Sequence, residues 1–370
     1  MSEPLHTLDL PALDGANPLG FLAALGTLVT LVEAGEKQTR LGWKKGAVWR
    51  PYLSGLREPD AICVKLCMAL RGRDVSANAE NAMVAARKNY ENAAKRRKQL
   101  EKAVKDRGLG RKELAAAKMT EVEPLKLEES AYRSAFLEKL NLAVPRPELS
   151  IGKKVDLSAE EFRTKAKAFF HDAELGLPAN AMLAGLATES CNNKQCPRTR
   201  FDFVDSSGQL AFLEATRHLM REANPEKLEA SLFRPWKRAD EKYSLRFDPV
   251  EDRRYALLDR DPTAGNNKST SEWMANLLAF RALSLFPCLI TGRGSETTAW
   301  AEHSQSWHFT WPVWEQPLAP DTLRSLLGRQ EFAAVRLSQS LRQIGVQAVY
   351  RSQKVSNGDY VNFSPAFAVL

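Results

Sequence analysis

From Asp74 onward the first glycine is Gly108 and the first proline is Pro124, in a stretch dominated by alanine, asparagine, lysine, arginine and glutamate. With nothing to break it, that stretch reads as one long helix. Met83, Ala86, Tyr90, Ala93, Leu100 and Val104 recur at three-to-four spacing, a pattern interrupted by Arg97. The seam is thin, suited to a single partner helix and too narrow for a core-facing stripe. From Asp74 to Arg107 such a helix reaches roughly 50 Å at 1.5 Å per residue. Gly108 and Gly110 permit a turn, and Glu129–Leu140 gives a second amphipathic stretch. The pattern predicts a protruding helical hairpin over 74–140. It separates an N-terminal part of a body, 1–73, from a mixed C-terminal part, 141–370.

The charge of the chain sits in the same place. Over its 370 residues the formal net charge is +8, from 53 basic and 45 acidic side chains. Between Arg87 and Lys118 stand twelve basic residues and four acidic ones, so this segment alone carries the excess and the remainder is neutral. Arg87, Lys88, Lys95, Arg96, Arg97, Lys98, Lys102 and Lys105 form its densest part. A charge this local points to a polyanion as partner, nucleic acid first.

The rest reads as a helix-rich α+β body. Asn17 is a good N-cap, with Pro18 at the first helical position, and Leu19 to Val32 is apolar on nearly every face, so this helix is buried. Gly20 and Gly26 lower its propensity and fit close approach of another backbone; Gly35 is its stop. Leu41–Tyr52 suggests a short hairpin around Gly46, interrupted by Pro51. Helical patterns follow at 159–173, 209–223, 269–285 and 320–328, and strand-like pieces at 243–247, 255–258, 307–313 and 346–350. The tryptophans at 300, 307, 311 and 314 fit core strands better than stacking platforms. The opening residues are acidic where a secretory signal needs a basic region. The most apolar run, Pro18–Ala34, falls short of the ~20 apolar residues that cross a bilayer. Five sparse cysteines suit a reducing compartment. A cytoplasmic protein with no membrane partner is the expectation.

Catalytic signatures are weak. No glycine-rich loop ends in Gly-Lys-Ser/Thr, and no nucleophile elbow is present, so no cofactor is expected. Asp248, Glu251, Asp252 and Asp259 offer carboxylates for a metal-dependent nuclease, but ion pairing with Arg253 and Arg254 explains them more simply. Cys63 with Cys67, and Cys191 with Cys196, present two pairs for a four-cysteine zinc site; buried thiols are the simpler reading, and no metal is expected. Binding has better support. The loops CNNKQC and GNNKST share Asn-Asn-Lys (Asn192, Asn193, Lys194 and Asn266, Asn267, Lys268), side chains that pair with base edges and phosphates. Ordinary turn chemistry accounts for such loops equally well. The tail Tyr350–Tyr360 carries Arg351 and Lys354 before an Asn-Gly turn, reading as a basic hairpin against a nucleic-acid backbone or merely a terminal hairpin.

Several longer strings bear a resemblance. NPLGFLAALGTL (Asn17–Leu28) with Gly42 and Trp43, RFDPVEDRRYAL (Arg246–Leu257), LAFRALSLFP (Leu278–Pro287) and FTWPVWEQPL (Phe309–Leu318) resemble type I-G (formerly I-U) CRISPR proteins, in particular their large, Cas-eight-type subunits. The likeness covers the N-terminal helix and most of 240–330, and leaves the basic hairpin outside it. It implies a non-catalytic large subunit of a crRNA-guided Cascade complex, beside the Cas-seven backbone and a Cas-five/six fusion. Such a subunit checks the protospacer-adjacent motif on target DNA, starts strand separation and receives the helicase-nuclease, while guide pairing reads sequence. A helicase-nuclease-associated extension from the same operons shares these motifs, so an adaptor role stays open beside it.

Overall fold

The computed structural model describes residues 5–172, 176–189, 195–204, 211–249, 270–291, 294–357 and 360–370. They form an α+β fold in two compact units, Met1–Gly72 joined with Lys153–Leu370, and Arg73–Gly152. The first holds helices α1 (Pro18–Glu33) and α2 (Ile62–Arg71), the second α3 (Ala77–Asp106), α4 (Arg111–Ala117) and α5 (Glu123–Leu142). The first unit resumes with α6 (Ala159–Phe170), α7 (Gly176–Leu186), α8 (Phe212–Arg221), α9 (Pro225–Phe233), α10 (Trp273–Ala282) and α11 (Pro320–Leu327). No helix among the described residues is long and apolar enough to cross a membrane.

The two ends of the chain are therefore one unit, where the sequence pattern divides them at 73 and 141. The helical unit runs on to Gly152 because a 3-10 turn, Pro147–Ile151, packs on α5.

α1 starts and stops as its residues dictate. The Asn17 side-chain oxygen accepts from the Leu19 and Gly20 amides at 2.8 and 3.2 Å. At the other end the Gly35 amide donates to Val32 O and the Glu36 amide to Leu31 O, with Gly35 at φ +99° closing the turn. Being apolar all round, α1 is buried against α10, and the two backbones nearly touch. A Cβ on Gly26 would stand 1.7 Å from Leu278 O. A Cβ on Gly185 of α7 would likewise stand 2.1 Å from Leu283 O. Arg281 of α10 clamps the α1 carboxylate Glu33 through Nη2, at 2.8 and 2.7 Å to the two oxygens.

Two sheets flank this pair. β1 (His6–Asp9), β2 (Arg40–Lys45) and β3 (Trp49–Leu56) make an antiparallel sheet in the order β1-β3-β2. Short pairs follow, β4 (Asp240–Glu241) with β5 (Thr270–Ser271) and β6 (Cys288–Thr291) with β7 (Gly294–Thr297). β8 (Trp300–His303), β9 (Ser306–Trp314), β10 (Val346–Asn357) and β11 (Tyr360–Phe363) pair in the order β11-β10-β9-β8, with β12 (Phe367–Ala368) also on β10. Aromatic side chains weld the sheets together. Phe21 stacks on Trp43 at 5.7 Å and touches Trp311 at the same distance, while Trp311 and Trp314 donate through Nε1 to Gly15 O and Leu41 O, each at 2.8 Å. Trp300, Trp311 and Trp314 are core residues as expected; Trp307 is half-buried, with the Arg200 guanidinium 3.5 Å above its ring.

Two strand expectations need correction. Pro51 does not end the hairpin: β3 continues to Leu56, with Pro51 opposite Trp43 and its carbonyl accepting from Leu10 N at 2.9 Å. In an extended strand a residue's nitrogen and oxygen face the same side, so the missing N–H points away from β2 and that ladder loses nothing. No strand forms at 243–247, where Tyr243 and Arg246 take positive φ values, as does Lys242 just before. The strand-like piece 255–258 lies outside the described residues.

Candidate nucleic-acid interface

α3 starts three residues after Asp74, capped by Ser76, whose Oγ accepts from Ala79 N at 3.2 Å, and runs 30 residues to Asp106, about 45 Å. Gly108, at φ +65°, turns the chain. The returning helix begins at Arg111, well before the expected Glu129, and passes through a π turn at Lys118–Val122 into α5. That turn explains how Pro124 is tolerated: the backbone is already out of α register where proline withholds its donor.

The seam between α3 and α5 follows the predicted spacing. Ala93 and Val104 are buried, as are Val122, Phe136 and Leu140 from the returning helix, and Tyr90 stacks on Phe136 at 6.0 Å. Arg97, which breaks the apolar spacing, lies in the seam itself. It pairs with Glu129 of α5 and with Glu101 at 2.9 Å, its side chain 19 % exposed. Arg96 reaches Glu128 at 2.6 Å, and Arg107 takes both oxygens of Glu121 at 2.6 and 2.8 Å. Arg87 pairs with Glu91 at 3.0 Å and Lys105 with Glu101 at 3.7 Å. The planar fork of arginine suits these two-point bonds, which lysine cannot make.

The eight candidate cations of α3 therefore separate by function. Arg87, Arg96, Arg97 and Lys105 are engaged with carboxylates, and Arg97 is corrected from a nucleic-acid contact to a seam residue. Lys88, Lys95, Lys98 and Lys102 are exposed and have no ion-pair partner among the described residues. Lys88, Lys95 and Lys102 are seven residues apart, one stripe with steps of about 10 Å. The hairpin's charge is softer than that of the 87–118 segment, because α5 brings glutamates to it: Arg73–Gly152 holds 17 basic and 12 acidic residues.

Beside the stripe runs a groove of about 510 Å³ lined by Asn89, Asn92, Lys95, Arg96, Gln99 and Tyr132. Sequence reasoning missed Asn89, Asn92, Gln99 and Tyr132. The signal was present in the spacing 89, 92, 95, 96, 99, a polar face at helical period along one flank of the seam residues; Tyr132 had none, since its place depends on how α5 returns.

The candidates in the first unit fare differently. Arg351 is buried: Nε donates to Thr310 Oγ1 at 2.9 Å, Nη1 to Val335 O at 3.1 Å and Nη2 to Ala334 O at 2.6 Å. It is corrected to a structural anchor of the loop before β10. Lys354 turns inward, its ammonium 5.0 Å from the centre of the Phe203 ring, and burial lowers its pKa. The expected hairpin around them exists, with Asn357 opposite Tyr360. Asn192, Asn193, Lys194, Asn266, Asn267 and Lys268 lie outside the described residues.

Of the acidic string only Asp248 is described; Glu251, Asp252, Asp259, Arg253 and Arg254 lie outside the described residues. One Asp248 carboxylate oxygen accepts from Asn17 Nδ2 at 3.0 Å and the other from Arg238 Nε at 2.8 Å, with the residue fully buried. It ties the α1 cap to the chain before α10. Burial pushes the Cys63 thiol up to about 11 and raises that of Cys67, which donates to Ala223 O at 3.5 Å. Cys191 of the second pair lies outside the described residues. Among the described residues no three His, Cys, Asp or Glu side chains converge as a metal site. No protein-family model matches this chain, and no curated protein matches it.

Proposed function

We propose that this protein is a nucleic-acid-binding subunit, acting without chemistry of its own as the large subunit of a crRNA-guided type I-G surveillance complex. The observation that carries the binding reading is the sorting of cations on α3. Once the arginines are assigned to holding the hairpin, four exposed lysines remain with no ion-pair partner among the described residues, three of them in one stripe. Free ammonium groups at regular steps suit a phosphate backbone read without regard to sequence. The assignment to a CRISPR complex rests on the motif strings, which build the first unit: Asn17–Leu28 is the cap and body of α1, Leu278–Pro287 takes in the second half of the helix it crosses, and Phe309–Leu318 most of the central strand β9. The Cas-seven backbone, the Cas-five/six fusion, target DNA and the helicase-nuclease are the partners this assignment brings, and motif reading falls to the Asn-Asn-Lys loops. Support against the nuclease reading comes from Asp248, whose two oxygens are engaged by Asn17 and Arg238.

The test is the salt dependence of binding by the full chain. Changing Lys88, Lys95, Lys98 and Lys102 together to alanine removes charge without touching the seam. For every phosphate that is no longer neutralised, the slope of log K against log salt falls by about 0.7 on single strands and 0.9 on duplex. With all four lysines on phosphates, the expected fall in slope is about 2.8 on single strands and about 3.6 on duplex. The paired set Arg96→Ala with Arg97→Ala lowers the melting temperature of the hairpin and changes the slope less. An unchanged slope in the lysine variant overturns the reading.

A further inference from the structure

We infer that the groove on the helical hairpin holds an unpaired base of a single-stranded nucleic acid, stacked on Tyr132 and flanked by amides that meet its edge. The inference rests on the nucleic-acid reading above and specifies the strand state. Five of the six lining side chains, Asn89, Asn92, Lys95, Gln99 and Tyr132, have no hydrogen-bond or ion-pair partner among the described residues; Arg96 alone is engaged, with Glu128. Three carboxamides thus present both donors and acceptors to the groove, the pairing chemistry of base edges. Tyr132 is exposed and contributes the one aromatic face. That face is useful only to a flat partner whose own face is free, and a base in duplex is already stacked on both sides.

The surrounding charge selects among flat ligands. Lys95 belongs both to the groove and to the lysine stripe, with Lys88 and Lys102 about 10 Å away along α3 on either side. A base entering the groove therefore has its own phosphate at Lys95 and its neighbours' phosphates near the other two. A neutral sugar gains nothing from the stripe, and an acidic peptide backbone brings no flat face to Tyr132. The volume of about 510 Å³ lies in the range of small-ligand sites.

The experiment measures binding of the full chain to a fluorescent single-stranded DNA of about 20 nucleotides, long enough to span the stripe, its RNA counterpart and the matching blunt DNA duplex, at one salt concentration. Tyr132→Ala is expected to weaken binding of both single strands roughly ten-fold, while duplex affinity changes less than about two-fold. Tyr132→Phe keeps the ring and should stay close to the parent. Tyr132 is exposed, so a thermal melt should show both variants folded. An equal loss on single strand and duplex, or no loss on either, overturns the groove while leaving the lysine reading intact if the lysine variant still flattens the salt slope. Failure of the parent protein to bind any of the three probes overturns both. A loss confined to one of DNA and RNA supports the groove and identifies which strand it holds.

Discussion

The Arg351 guanidinium donates to Thr310 Oγ1 and to the carbonyls of Val335 and Ala334, and 4 % of the residue remains exposed. In sequence it stands in polar, basic company, as Lys88 and Lys95 do. What separates them is the partners, which lie 16, 17 and 41 residues away and leave no local mark. Arg281 with Glu33 and Arg238 with Asp248 repeat the theme, cations answered by carboxylates that local sequence does not announce. Arg351→Met should cost about 2–3 kcal/mol, because three oxygens are deprived of a charged donor. The loop 330–336 should then loosen over Phe332, Leu341, Val346 and Val349. Calorimetry should show the lower melting temperature, and nucleic-acid affinity at equal salt should not change. A stable variant with weakened binding would return Arg351 to the interface.

At the scale of elements, chemistry that acts locally was legible. Asn17-Pro18 and Gly35 mark both ends of α1, and the same Asn-Pro start, Asn224 then Pro225, opens α9, with Asn224 Oδ1 accepting from Lys227 N at 2.8 Å. Gly26 was readable as a site of close approach, though its partner Leu278 was not. Gly26→Ala should therefore separate α1 from α10 and cost at least about 1–3 kcal/mol. Gly46→Ala, whose new methyl would meet nothing nearer than 3.6 Å, should cost little. Equal melting temperatures for the two variants would remove the crossing from the argument. The returning helix of the hairpin was only half legible, since Pro124 hides a helix that survives by a π turn. α7 was invisible for the same reason, its Gly176, Pro178 and Gly185 being breakers in isolation, while in place both glycines sit against a neighbouring backbone.

Over the whole molecule, periodicity and charge gave the α+β class, the location of the excess charge and the start of the helical unit, but not its end at Gly152. Trp311 to Gly15 and Trp314 to Leu41 are hydrogen bonds between residues 296 and 273 apart, and they make the two ends of the chain one unit. No periodicity can report such pairing. The charge also reads differently once folded, because α5 answers the arginines of α3 and leaves the lysines. The central claim is that nucleic acid meets this chain on that lysine face. Photo-crosslinking of the full chain to a single-stranded oligonucleotide, with adducts located by mass spectrometry, tests it most directly. Adducts concentrated between Lys88 and Lys102 and at Tyr132 are predicted; adducts that fall elsewhere in the chain and spare that face would contradict it.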